Sequence, residues 1–156
     1  MGIEIERKFL VTSDAFLEAS YTSTPLKQGY ISRKEEATVR VRIKADRGIL
    51  TIKGRADEHF GRAEFEYEIP QEDALQLLAT MCEGTPIEKT RHLVEHAGHT
   101  WEVDVFQGEN DGLVVAEIEL STPDERFELP EWVGEDVTDD PRYLNARLIE
   151  APYSKW

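Results

Sequence analysis

Near the start of the chain, Ile3 and Ile5 alternate with Glu4 and Glu6, and Lys8 follows two positions later. A period of two places successive side chains on opposite faces of an extended strand. The same period returns further on. Val39, Val41 and Ile43 alternate with Arg40, Arg42 and Lys44, and Leu50 and Ile52 with Thr51 and Lys53. Phe65, Tyr67 and Ile69 alternate with Glu64, Glu66 and Glu68. Trp101, Val103 and Val105 alternate with Glu102 and Asp104, and Ala116, Ile118 and Leu120 with Glu117 and Glu119, while Lys89 and Arg91 share a face. With LKQGYIS at 26–32, the pattern predicts about eight strands. ADRG, HAGH and GENDG separate consecutive strands as hairpin turns do, so an antiparallel sheet is expected. About eight such strands can close into a barrel and remove their edges.

Helical spacing is rarer. Between Gln71 and Cys82, a stripe of Ala74, Leu75, Leu78 and Met81 or Cys82 predicts one amphipathic helix. Asp139 or Asp140 before Pro141 is a helix start, because Asp accepts orphan N–H bonds and Pro fits the first turn. From that helix Leu144, Leu148 and Tyr143 are expected to face the barrel. A shorter helix is expected over Ser13 to Ala19. Each apolar stripe is expected to pack on the outside of the sheet.

Composition narrows the function. The 156 residues suit one domain, 1–156, able to bury a core without metal or disulfide. Net charge is −14, which argues against nucleic acid or an anionic membrane as partner. The charged first ten residues do not read as a secretory signal, no apolar run is long enough to span a bilayer, and Cys82 is a lone thiol. A cytoplasmic protein is expected.

The polar faces need an explanation. On a solvated face, charges of both signs are usually mixed and paired across strands. Here same-sign charges recur at i and i+2 with few Ser, Thr or Gln among them. If these faces point into the barrel, the lining must be paired, wet or ligand-bound, since isolated buried charges are very costly. Lys8, Arg40, Arg42, Lys53, Lys89 and Arg91 would supply the positive charge. A triphosphate carries roughly four to five negative charges at neutral pH, and guanidinium forks match phosphate oxygens in pairs. Mg²⁺ or Mn²⁺, which take oxygen ligands, would reconcile the carboxylates with such an anion.

Glu4-x-Glu6-x-Lys8, followed in order by Arg40-x-Arg42, Lys53, Glu64-x-Glu66, Lys89-x-Arg91, Asp104 and Glu117-x-Glu119, resembles the signature of the CYTH superfamily, the triphosphate tunnel metalloenzymes. The likeness covers nearly the whole chain, and the closing RYLNARL is similar to the last helix of small bacterial members of inorganic tripolyphosphatase type. The resemblance implies a mainly β fold, an eight-stranded antiparallel closed barrel with a triphosphate inside it. It implies Glu4, Glu6, Glu117 and Glu119 as metal ligands for Mg²⁺ or Mn²⁺. It implies Lys8, Arg40, Arg42, Lys53, Lys89 and Arg91 as the phosphate grip, with Glu64, Glu66 and Asp104 supporting them or holding a second metal. Lys89, lowered in pKa by cationic neighbours and partnered by Tyr30, is one implied catalytic base; the other reading is that Lys89 stays protonated and holds phosphate while a metal activates the water.

The activity expected is metal-dependent hydrolysis of inorganic tripolyphosphate. Class IV adenylate cyclase and thiamine triphosphatase are the alternatives within the family, and a non-catalytic polyphosphate-binding module is the alternative outside enzymology. The partner expected is the small triphosphate, with a homodimer left open. No HExxH, GxSxG, P-loop or GxGxxG occurs, and His59, His92, His96 and His99 are not expected to bind metal. Cys82 reads as a small core residue, and DERFELPEWVGEDVTDD as a solvated acidic loop.

Overall fold

A computed structural model of the protein describes residues 2–57 and 61–156, so His59 lies outside the described residues. Among the described residues ten strands rather than eight make one sheet: β1 (Gly2–Glu4), β2 (Glu6–Val11), β3 (Ser20–Lys34), β4 (Ala37–Lys44), β5 (Arg47–Gly54), β6 (Arg62–Ile69), β7 (Ile87–His96), β8 (His99–Phe106), β9 (Val114–Glu119) and β10 (Val133–Asp136). Their order is β1-β6-β5-β4-β3-β7-β8-β9-β2-β10, and the paired neighbours run antiparallel.

Two corrections to the eight-stranded expectation follow. The first strand is interrupted at Ile5, so that β1 pairs with β6 while β2 pairs with β9. The two ends of the sheet are thus consecutive pieces of one extended segment. The wall comes round through the chain at Ile5, where Leu120 N donates to the Ile5 carbonyl at 2.7 Å, and not through an unbroken hydrogen-bonded ladder. Gly61, at φ +75°, makes the close approach there, since a Cβ would fall 2.2 Å from the Glu4 carbonyl oxygen. The second correction is β10, which comes from the segment expected to be a solvated loop and pairs with β2. Trp132 just before it is buried beside Phe16 and Trp101.

The turn chemistry follows expectation at HAGH, where Ala97 and Gly98 both have positive φ, as a two-residue hairpin turn requires.

The apolar faces of the strands point outward under cover. Phe9, Val103, Ala116 and Ile118 pack with Trp101, Trp132 and Phe16 of helix α1 (Phe16–Ala19). Helix α2 (Gln71–Thr80) lays Ala74 and Leu78 on Val41 and Ile43. Gly48 lets α2 down onto the sheet, because a Cβ there would meet Ala74 Cβ at 2.9 Å. Cys82 packs against the same cluster, but the rest of the expected stripe does not pack. Leu75 and Met81 stay 49% and 62% exposed, because the helix touches the curved wall along a narrower line than its periodicity offers.

The C-terminal helix departs furthest from the reading of the sequence. After a 3-10 turn at Pro141–Tyr143, whose Asp140 side chain accepts from Arg142 N, α3 (Asn145–Glu150) buries Leu148 against Ile87, Phe106, Val115, Val137 and Tyr143. Ile87 shares its strand face with Lys89, Phe106 with Asp104, and Val115 with Glu117. These apolar residues continue the inward faces below the charged ones. Helix α3 therefore packs on the inner side at one end, not outside, and the lumen has an apolar floor. Leu144 stays exposed instead of facing the wall. Among the described residues no helix is long and apolar enough to cross a membrane.

Candidate functional site

The wall order sorts the inward charges into two arcs. From β5 through β4 and β3 to β7 run Lys53, Thr51, Arg40, Arg42, Gln28, Tyr30, Lys89 and Arg91. From β8 through β9 and the first strand to β6 run Glu102, Glu117, Glu119, Glu4, Glu6, Glu66 and Glu64, with Lys8 among them. They face one another across a cavity of about 1740 Å³, including its mouth. A basic arc opposite an acidic arc is a place for an anion and a cation together.

The cations are held in different ways. Lys89 is almost completely buried, with Nζ 2.7 Å from Asp104 Oδ2, 3.0 Å from Asn145 Oδ1 and 5.2 Å from the centre of the Phe106 ring. Burial lowers its pKa to about 7, assisted by Arg91 and Arg42 and opposed by Asp104. Arg91 grips Asp104 in both fork positions, at 2.8 and 2.9 Å, and reaches Glu102 at 2.9 Å. Burial works against the charge of Arg91, but Asp104 and Glu102 outweigh it and raise its pKa. Asp104 in turn is held far below the usual carboxylate range, since Lys89 and Arg91 overcome the cost of its burial.

Arg42 has a neutral partner. Its Nε and Nη2 both donate to Gln28 Oε1, at 2.9 and 2.7 Å. Burial, with Arg40 and Arg91 nearby, pulls its pKa down to about 9, so the guanidinium is charged at neutral pH in surroundings that disfavour it. Arg40 donates to Thr51 Oγ1 at 3.2 Å, and its buried Nε has no hydrogen-bond partner among the described residues. These are two guanidinium groups, Arg42 buried and Arg40 half-buried, whose hydrogen bonds go to neutral partners.

On the acidic arc, Lys53 Nζ is bound by both oxygens of Glu4 at 3.0 and 2.9 Å and lies 3.6 Å from Glu64. Burial resists ionisation of Glu4, but Lys53 lowers its pKa on balance. Lys8 lies 3.5 Å from Glu117 and donates to the Tyr143 carbonyl at 3.1 Å. Glu117 is pulled down to about 2, burial being overcome by Lys8 with Arg91 and Lys89. The register sets Glu6 directly opposite Glu119, and Glu102 opposite Glu117. Like charges opposite one another repel. Burial, Glu117 and Glu4 push the Glu6 carboxyl well up, and burial with Glu4 and Glu102 raises Glu119. The donor set is all carboxylate oxygen and short of positive charge, which suits a hard divalent cation. Among the described residues no three acids converge into a ready-made ligand set, since Glu4 turns to Lys53 and Glu117 to Lys8.

Of the three glutamates on β6, Glu64 and Glu66 line the cavity, Glu66 accepting from Thr51 at 3.4 Å. Glu68 instead pairs with Arg47 in solvent. Asp104 lies behind Lys89 and Arg91, with both oxygens spent on them. Tyr30 is buried and its hydroxyl accepts from Gln28 at 3.2 Å, while Lys89 is bonded to Asp104 and Asn145. His92 contacts Ser20, and His99 contacts Glu125, both outside the cavity lining. Cys82 packs beside α2, and burial with nearby Glu83 raises its pKa.

Sequence reasoning missed Asn145, the Tyr143 carbonyl, and the contribution of Glu102. Glu102 carried a signal, because it shares the alternating face of Asp104. The other two carried none, since they reach the lumen from a helix folded into the barrel end.

Residues 2–149 match the CYTH domain. This chain belongs to the CYTH family. It is 46% identical over 156 residues to an inorganic triphosphatase of Acetivibrio thermocellus, covering 100% of this chain and 99% of that one. To an inorganic triphosphatase of Nitrosomonas europaea it is 36% identical over 151 residues, covering 93% and 95%. The crystal structure of the inorganic triphosphatase NE1496 superposes with a TM-score of 0.69 at 33% identity, covering 96% of this chain and 95% of that one.

Proposed function

We propose that this CYTH protein is a divalent-metal-dependent hydrolase of inorganic triphosphate. The observation that carries the reading is the pair of opposed arcs, with buried Arg42 and half-buried Arg40 bonded to neutral partners. Two such cations are stabilised by a polyanion, and phosphoryl transfer requires little beyond positioning and charge stabilisation. The names of the triphosphatases of A. thermocellus and N. europaea, matched over nearly their full lengths, support the same substrate class.

In this reading Arg40, Arg42, Lys53, Lys8 and Arg91 hold the phosphate oxygens. Glu4, Glu6, Glu117 and Glu119 would hold Mg²⁺ or Mn²⁺, with Glu64 supporting Lys53 and Glu66 the Thr51 hydroxyl that accepts from Arg40. The metal, when bound, supplies a Lewis acid that neutralises phosphoryl oxygens. Asp104 fixes Lys89 and Arg91. Lys89, close to half neutral near pH 7, takes a proton from the attacking water, and Tyr30 orients that water from the neighbouring strand. The products are orthophosphate and pyrophosphate. The protein works as a soluble enzyme in the cytoplasm.

Phosphate release from tripolyphosphate, ATP and thiamine triphosphate, each with Mg²⁺, Mn²⁺ or excess EDTA, tests this. Tripolyphosphate should be preferred and EDTA should abolish turnover; full turnover in EDTA sinks the reading. Lys89→Arg should lose most of kcat and the rise in rate as pH increases through about 7, with Tyr30→Phe losing less.

A further inference from the structure

Lys89 is held from the floor as well as from the wall. Asp104, on the adjacent strand β8, takes one N–H of Nζ at 2.7 Å. Asn145, the first residue of α3 and 56 positions along the chain, takes another through Oδ1 at 3.0 Å. Nζ is tetrahedral, and one of its four directions is its own Cε. Two N–H bonds spent on Asp104 and Asn145 therefore leave one direction. The Phe106 ring, part of the apolar floor, lies on one side of Nζ at 5.2 Å, and the remaining direction opens on the cavity that Lys89 lines. With Asp104 as its sole partner, the amine would turn about a single contact and its free direction would be undefined.

We infer that Asn145 is a positioning residue of the hydrolysis, fixing the direction in which Lys89 Nζ meets the attacking water. The inference rests on the reading of Lys89 as the base. An amide oxygen suits the task, because it accepts a hydrogen bond without bringing another formal charge to the ammonium. The helix that carries Asn145 is anchored independently. Leu148 is buried in the floor, the Tyr143 carbonyl accepts from Lys8, and Arg33 reaches Glu150 at 3.2 Å and pairs with Glu83. Deleting the amide removes one contact and leaves α3 in place.

A double-mutant cycle tests this on tripolyphosphate with Mg²⁺ or Mn²⁺. Asn145→Ala and Asn145→Leu, the second of similar volume, are each made alone and with Lys89→Arg. Rates are taken with enzyme in excess so that slow variants stay readable. Each single substitution should lower kcat by about tenfold or more while KM moves by less than about threefold, with the melting midpoint close to that of the unaltered protein. In the Lys89→Arg background the same substitutions should change the residual kcat by less than about twofold, as expected of two residues acting as one unit. The inference is overturned if both Asn145 variants keep kcat, if the loss is equally large without Lys89, or if only KM or the melting midpoint moves. Loss of kcat in Lys89→Arg but not in the Asn145 variants overturns this inference alone. Retention of kcat in Lys89→Arg overturns the reading of Lys89, and this inference with it.

Discussion

Strand β7 carries Lys89 and Arg91 into the lumen that Arg40 and Arg42 enter from β4, and the two strands hold these pairs on opposite principles. Lys89 and Arg91 are bonded to the carboxylate of Asp104, while Arg42 rests on the Gln28 amide and Arg40 on the Thr51 hydroxyl. A carboxylate neutralises a buried cation and so fixes its place in the empty protein. A neutral acceptor fixes its direction but leaves its charge to be met by something else. The β7 pair is built to stay where it is, and the β4 pair is built to receive an anion. The β7 pair is set in place before substrate arrives, and the β4 pair depends on the anion for its neutralisation.

Asp104→Ala should break the comparison most severely. It leaves Lys89 and Arg91 buried without their anion, a loss of about 3–5 kcal/mol for a broken buried pair. Urea or thermal denaturation measures it, and turnover should collapse with it. Arg42→Ala should do the reverse. Losing charge-assisted bonds to phosphate, about 1.5–3 kcal/mol, lowers kcat/KM by roughly 10- to 150-fold. The melting midpoint should hold or rise, since a cation disfavoured by burial and by Arg40 is gone. A midpoint that falls sharply in Arg42→Ala with kinetics intact would show that Arg42 serves the fold and not the anion.

Acid sharpens the contrast on the other arc. Glu117 is held at about 2 in the folded protein against an ordinary value of 4.5. A depressed carboxylate contributes stability above its unfolded pKa, and that contribution is lost as pH falls through the folded value. Stability should therefore drop between about pH 5 and pH 2, and Glu117→Gln should flatten that part of the curve. The smallest effect belongs to Glu68. Paired with Arg47 in solvent, it should tolerate Glu68→Gln with unchanged turnover and a melting midpoint within experimental error.

Much of this was legible in the chain because strand alternation converts directly into faces. The period of two placed Lys8, Arg40, Arg42, Lys53, Lys89 and Arg91 on polar faces, and the lumen holds all six. What alternation cannot convey is depth along the barrel. Leu10, Ile87, Phe106 and Val115 continue the same inward faces as the charges, and nothing in the period separates floor from grip. The position of α3 was invisible for that reason, and Asn145 with it. The break at Ile5 was equally hidden, because a strand that changes partners keeps its alternation while doing so. Strand β10 is short and acidic, and it is set by pairing with β2 rather than by its own pattern.

The seam at Ile5 gives the barrel a history as well as a shape. Glu4, Glu6 and Lys8 belong to the earliest strand in the chain, yet that strand finds its partners only in β6, β9 and β10. Such distant pairings form late, because the loop they close must lose its entropy before the contacts are gained. During synthesis β2 waits until Glu119 has emerged, and until then the acidic arc is incomplete while the strands of the basic arc are already made. Pairing of β2 with β9 is the event that completes the acidic arc. An anion and a cation bound across the seam would hold that event in its finished state, so triphosphate with metal should slow unfolding of the first strand before any other.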